Sequence, residues 1–190
     1  MNTFKLFGFA LALTLGFVTQ VYAQERGHSF SPAYSGYYYL RTVFTGDELS
    51  LESNDSGSSY KNGASFMSSE KGVTGTMWQF VADPYNRGWY RLKSKFQGAN
   101  KCLECNGVGS TVKGGASFMD NCQNVTGQLW RLELVAKNGD DHIYRLLSKL
   151  HGNQNSLEGN KPDSDYMGGN SFMDSKQDVS GQMWRLVPVR

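Results

Sequence analysis

The chain has 190 residues, with 19 basic and 17 acidic side chains, a formal net charge of +2, and no segment that gathers Lys and Arg into a run. Nucleic acid and anionic membrane are therefore not expected partners, because both are held by concentrated positive charge. Aromatic residues make up 13% of the chain, Gly numbers 22, and no long window places apolar residues at helical spacing, so short strands joined by turns are expected.

The chain opens on a basic segment ending at Lys5, followed by an apolar stretch from Leu6 to Val18 and then Val21-Tyr22-Ala23. This pattern predicts a signal peptide over residues 1–23, cut after Ala23. The apolar run is too short for a good membrane span, so no span is expected after cleavage and the protein is expected to be secreted or periplasmic. Residues 24–36 read as an N-terminal linker. Residues 37–190 read as one domain, large enough to bury a core.

Within that domain three segments superpose without a gap: Tyr38 to Trp78, Tyr90 to Trp130 and Tyr144 to Trp184. Each begins with Tyr followed two residues later by Leu40, Leu92 or Leu146, a spacing that puts both on one strand face. A turn glycine follows (Gly46, Gly98, Gly152), then a second strand with Leu51-Glu52, Leu103-Glu104 and Leu157-Glu158. Asn54, Asn106 and Asn160 open a polar loop that Gly63, Gly115 and Gly169 close. A third strand carries Phe66, Phe118 or Phe172, and Trp78, Trp130 or Trp184 closes the unit, followed by a fourth strand's apolar residue at Phe80, Leu132 or Leu186. These Phe and Trp residues are expected in the core. No four-stranded unit could bury its apolar face alone, and three copies are too few for a usual propeller. Closure about a pseudo-threefold axis pools the Leu, Phe and Trp residues and removes the sheet edges, which predicts an all-β β-trefoil.

Cys102, Cys105 and Cys122 lie close together in an exported chain, so one disulfide and one leftover thiol are expected. No second Cys/His cluster exists to complete a metal site, and no metal or other cofactor is expected. His28, His142 and His151 occupy no position shared among the copies, and no Ser–His–acid constellation can be read. A glycosidase needs two carboxylates at a fixed separation in one cleft, and threefold repetition does not make such an asymmetric pair. The expectation is a protein without catalytic residues.

Gln128-Leu129-Trp130 and Gln182-Met183-Trp184 close the second and third repeats, with Thr76 replacing Gln in the first. A Gln-x-Trp tripeptide at the end of each of three repeats resembles the ricin B-type β-trefoil lectins, over essentially the whole of residues 37–189. Cys102-Leu103-Glu104 resembles the family's Cys-x-Asp stretch, and Cys122 falls where the family places that cysteine's partner. The resemblance thus implies a Cys102–Cys122 disulfide, Cys105–Cys122 being the competing pair, and leaves Cys105 as a thiol or as a link between two chains of an otherwise monomeric protein.

The resemblance further implies a sugar site on the outside of each repeat, where an acid after the cysteine position accepts hydrogen bonds from vicinal hydroxyls. Glu52, Glu104 and Glu158 hold that position. Gly75, Gly127 and Gly181 stand where the family has Asn, and Ser68, Asp120 and Asp174 where it has a stacking aromatic. Asn54, Asn106 and Asn160 on the adjacent loop and Tyr60 and Tyr166 across it, with Val112 in the second copy, are the substitutes available. The implied function is non-catalytic carbohydrate binding at up to three weak sites, with glycans or glycoproteins as partners. The alternative is a trefoil that binds protein, such as a protease inhibitor, through its variable connectors, and the Glu-x-Asn repeat also has a purely structural reading in which the acid bonds turn amides.

Overall fold

The computed structural model describes residues 36–107, 109–138 and 141–190, so the signal peptide and all but the last residue of the linker lie outside the described residues. Six strands, β1 (Tyr38–Thr42), β4 (Trp78–Ala82), β5 (Tyr90–Ser94), β8 (Trp130–Asn138), β9 (Asp141–Ser148) and β12 (Trp184–Pro188), close into an antiparallel barrel. Three hairpins accompany the barrel: β2 (Ser50–Glu52) with β3 (Phe66–Ser68), β6 (Lys101–Glu104) with β7 (Phe118–Asn121), and β10 (Asn155–Glu158) with β11 (Phe172–Ser175). Each repeat gives two strands to the barrel and one hairpin, so the fold is an all-β β-trefoil.

The repeat ends are what close the barrel. Tyr38 pairs with Trp78, Tyr90 with Trp130 and Tyr144 with Trp184, the first residue of each repeat facing its last. All three Trp side chains are buried, and their indole N–H groups donate to Leu51 O, Leu103 O and Leu157 O at 2.7, 2.8 and 2.9 Å. Each Trp therefore fills the core and ties the barrel to its own hairpin, satisfying the one polar atom that burial would otherwise strand. Leu40, Leu92 and Leu146, together with Leu51, Leu103 and Leu157, complete the shared core.

At the pseudo-threefold axis the backbone forms a ring. Ser65 N donates to Ser117 O, Ser117 N to Ser171 O, and Ser171 N to Ser65 O, at 2.8, 2.8 and 2.9 Å. Around it, residues at left-handed φ reach into the preceding repeat of the cycle: Lys61 donates to Pro162 O and Gly168 O, and Lys113 donates to Ser56 O. The equivalent Met167, also at positive φ, reaches instead toward Gly115. The repeats are thus interlocked in one cyclic sense.

The connector between the second and third repeats differs from a plain turn. It extends β8 and β9 into a long hairpin, with a bulge between Leu134 and Ala136. The first connector is a turn held by Asp83, which accepts from Tyr85 N, from Asn86 Nδ2 and from Arg91. Burial opposes the charge on Asp83, but these donors outweigh it and hold the carboxyl below its ordinary range.

Candidate functional site

In each hairpin the repeated Glu lies opposite the repeated Phe: Glu52 with Phe66, Glu104 with Phe118 and Glu158 with Phe172. Directly opposed residues of an antiparallel pair share a face. The three carboxylates are half-buried, and the glycine that precedes Thr76, Gln128 or Gln182 packs beneath each of them. A Cβ built on Gly75, Gly127 or Gly181 would stand 3.0, 3.4 or 3.1 Å from Cγ of Glu52, Glu104 or Glu158. At Gly127 it would also come within 2.9 Å of Cys105 O. The two departures from the lectin pattern are therefore one feature. The longer acid lies where a side chain at the glycine would go, so Glu and Gly occur together in all three copies.

Gln128 and Gln182 are buried hubs. Gln182 Nε2 donates to Glu158 Oε2 at 3.0 Å and to Ser175 O at 2.9 Å, while its Oε1 accepts from Ser156 Oγ and from Gln177 N. Gln128 Nε2 donates to Glu104 Oε2 at 2.7 Å and to Asn121 O at 2.8 Å, and its Oε1 accepts from Gln123 N and Arg91. One carboxylate oxygen is thereby fixed in each site. The other, Oε1 of Glu104 or Glu158, lies over the glycine and accepts no hydrogen bond among the described residues. In the first repeat the Thr76 side chain donates to Val73 O, and among the described residues no amide at that position orients Glu52.

Burial pushes the Glu104 and Glu158 carboxyls above the ordinary glutamate value, against the Gln hydrogen bond and with help from nearby Asp120 and Asp174. These are acceptors held at an energetic disadvantage in their charged form.

The asparagines hold the adjacent loops. Asn54 Nδ2 donates to Tyr60 O, Asn106 Nδ2 to Val112 O and Ala116 O, and Asn160 Nδ2 to Tyr166 O and Ser164 Oγ. Each side-chain amide thus clamps its own loop. What they position is the residue at the loop apex. Tyr60 and Tyr166 are exposed and rest edge-on against Phe66 and Phe172, with ring centroids 5.1 and 5.2 Å apart. In the second repeat Val112 gives Phe118 no aromatic lid, and Phe118 is only half-buried where Phe66 and Phe172 are buried.

Cys102 and Cys122 are joined by a disulfide across the β6–β7 hairpin, with Cα atoms 5.0 Å apart. The link between chains considered for Cys105 is corrected by its surroundings. Cys105 is 3% exposed, its Sγ donates to Ser148 Oγ at 2.9 Å, and burial pushes its thiol up to about 11. A second chain has no access to it, and it carries almost no thiolate near neutrality. The same seam holds Ser53 Oγ bonded to Ser94 Oγ in the first repeat and Gly159 against Thr42 in the third, so Cys105 is a packing residue.

Sequence reasoning missed what the next repeat brings to each site. The turn after each repeat's first strand docks on the preceding copy: Lys95 N donates to Met77 O, Lys149 N to Leu129 O, and Val43 N and Phe44 N to Met183 O and Ser180 O. Gln97 Nε2 reaches Asn54 O, and His151 Nε2 donates to Asn106 O at 2.7 Å. Each of these turns carries an exposed apolar residue at the same register: Phe44, Phe96 and Leu150. The gapless superposition of the three copies already aligned these positions, six residues after the opening Tyr.

Among solved structures, a designed threefold-symmetric protein, ThreeFoil, is similar with a TM-score of 0.58 and 26% identity, over 81% of this chain and 99% of its own. The β-trefoil of BEL is similar with a TM-score of 0.61 and 10% identity, over 84% of this chain and 97% of its own. A ricin B-like lectin from Macrolepiota procera, in complex with lactose, gives a TM-score of 0.55 and 13% identity, over 84% of this chain and all of its own. No protein-family profile matches the chain. No curated protein matches it either. At these identities the last two likenesses are likenesses of fold.

Proposed function

We propose that this protein is a secreted or periplasmic, non-enzymatic, lectin-like carbohydrate-binding trefoil of ricin B-type, with Glu52, Glu104 and Glu158 as the acceptors for sugar hydroxyls. The observation that carries the reading is the third repeat. There a half-buried carboxylate is fixed through one oxygen by Gln182, its other oxygen has no partner among the described residues, and an exposed Tyr166 stands on the aromatic partner of that same Glu. A carboxylate kept partly desolvated with a spare acceptor suits hydroxyl binding, because charge-assisted bonds are the stronger kind. The lactose complex of the fold-related fungal lectin is consistent with that role.

The sites are unequal. The third has Glu158, Gln182 and Tyr166; the second has Glu104 and Gln128 but Val112 at the apex; the first has Tyr60 but Thr76 in place of the amide. Binding is therefore expected to be strongest at the third. Three weak sites on one rigid body gain strength together on a multivalent glycan surface. Chain expressed from Gln24 is expected to be retained on polysaccharide or glycoprotein resins and eluted by free sugar. Retention that free sugar does not compete would count for protein binding through the connectors.

A further inference from the structure

The lectin pattern lacks its stacking aromatic in every copy, since Ser68, Asp120 and Asp174 stand at that position. An unmet need for an apolar platform within the repeat directs attention to what lies beside it. Phe44, Phe96 and Leu150 are 47%, 55% and 46% exposed, and they recur at one register of the three turns, with exposed Val43 beside Phe44 in the first. Each of these turns is bonded to the copy before it. Phe44 N donates to Ser180 O, the residue before the glycine that packs under Glu158. Lys161, three residues beyond Glu158, places its ammonium 5.5 Å from the Phe44 ring centroid. The Phe96 turn is tied to the first repeat through Lys95 N to Met77 O and Gln97 Nε2 to Asn54 O.

We propose that each carbohydrate site is completed across the seam between repeats. Phe44 serves Glu158 and Phe96 serves Glu52, each as the platform for the C–H face of a pyranose whose vicinal hydroxyls are held by the acid. Leu150 beside Glu104 offers an apolar surface without a π-face, so the second seam is the weakest platform. The expected class is a neutral pyranose with a continuous C–H face, because a ring lying flat on Phe meets the carboxylate with its edge hydroxyls. This inference rests on the carbohydrate reading above. It adds that binding needs two repeats at once, with the third site shared between the ends of the domain.

Phe44 and Phe96 are exposed, so their truncation leaves the core intact and a folding defect is not expected. The test is saturation-transfer NMR and titration with a panel of neutral disaccharides: lactose, cellobiose, maltose and chitobiose. Wild-type chain is expected to saturate the C–H face protons of at least one of them. Phe44→Ala with Phe96→Ala should weaken that binding about tenfold, the scale of one aromatic contact of about 1.4 kcal/mol. Phe44→Tyr with Phe96→Tyr should retain it, and Leu150→Ala should change it less than twofold. Binding abolished by Glu52, Glu104 and Glu158→Ala yet unchanged in the double Phe→Ala variant overturns the seam platform and leaves the carbohydrate reading standing. Binding to no disaccharide, or binding indifferent to the three Glu substitutions, overturns both. Concentration-dependent dimerisation of wild type, lost in the double Phe→Ala variant by sedimentation velocity, would assign these side chains to self-association and overturn the platform as well.

Discussion

Gln182→Ala is the perturbation whose cost can be worked most directly from the geometry. Gln182 is wholly buried and makes four hydrogen bonds: to Glu158 Oε2, to Ser175 O, from Ser156 Oγ and from Gln177 N. Truncation leaves two donors and a carbonyl without partners in the hairpin, and a half-buried carboxylate without its amide. At about 1 kcal/mol for each neutral bond and more for the charged one, and with some relaxation and water entry, the loss should be about 3–5 kcal/mol. For a domain of this size that lowers the melting temperature by about 10 °C or more. The first repeat supplies the control. Thr76 occupies the same position with a single side-chain bond, to Val73 O, so Thr76→Ala should cost only about 0.5–1.5 kcal/mol. Urea unfolding of wild type and both variants measures the difference. A Gln182→Ala loss below about 1 kcal/mol, or one no larger than that of Thr76→Ala, would refute the hub.

Trp184→Ala, which empties a core site and strands Leu157 O, should cost about 3–5 kcal/mol in the same assay, with Trp78→Ala and Trp130→Ala in the same range. Replacing Cys102 and Cys122 by Ser should remove about 3 kcal/mol, the value for a loop of this length, while native protein should show no alkylation of Cys105 by iodoacetamide until it unfolds. The raised carboxyls give a signed pH dependence. A glutamate whose folded value lies above its unfolded one contributes stability that is fully present below about 4.5 and lost as pH rises through the raised value. Glu158→Gln should therefore melt higher than wild type at pH 7, with the gap closing toward pH 4, and sugar binding by wild type should fall with acid at a midpoint above 4.5.

The trefoil was legible in the sequence because its repeat leaves a mark that needs no alignment to other proteins. Tyr at the start and Trp at the end of each gapless copy turn out to be the pair that closes the barrel. The cysteine pair was readable only through the family resemblance, since spacing alone left Cys105–Cys122 open. The site was less legible, for two physical reasons. Side-chain amides compete for nearby carbonyls, and the sequence does not say that Asn54, Asn106 and Asn160 close their own loops. Contacts between copies also have no signature within one copy, and only docking of the turns places Phe44, Phe96 and Leu150 beside the preceding repeat. The buried state of Cys105 arises in the same way, from Ser148 of the following copy. By contrast the exchange of Asn for Gly and of Asp for Glu was visible from the start, and only the packing of Glu Cγ over the glycine explains why the two changes travel together.

The central claim is that the three repeated glutamates bind sugar, and a glycan array probed with chain from Gln24 tests it most directly. Wild-type protein is expected to bind a restricted set of pyranose-terminated glycans, and Glu52→Gln, Glu104→Gln and Glu158→Gln together should abolish the signal while leaving the protein folded. No binding by wild-type protein, or the same glycan profile from the folded triple variant, would contradict the claim.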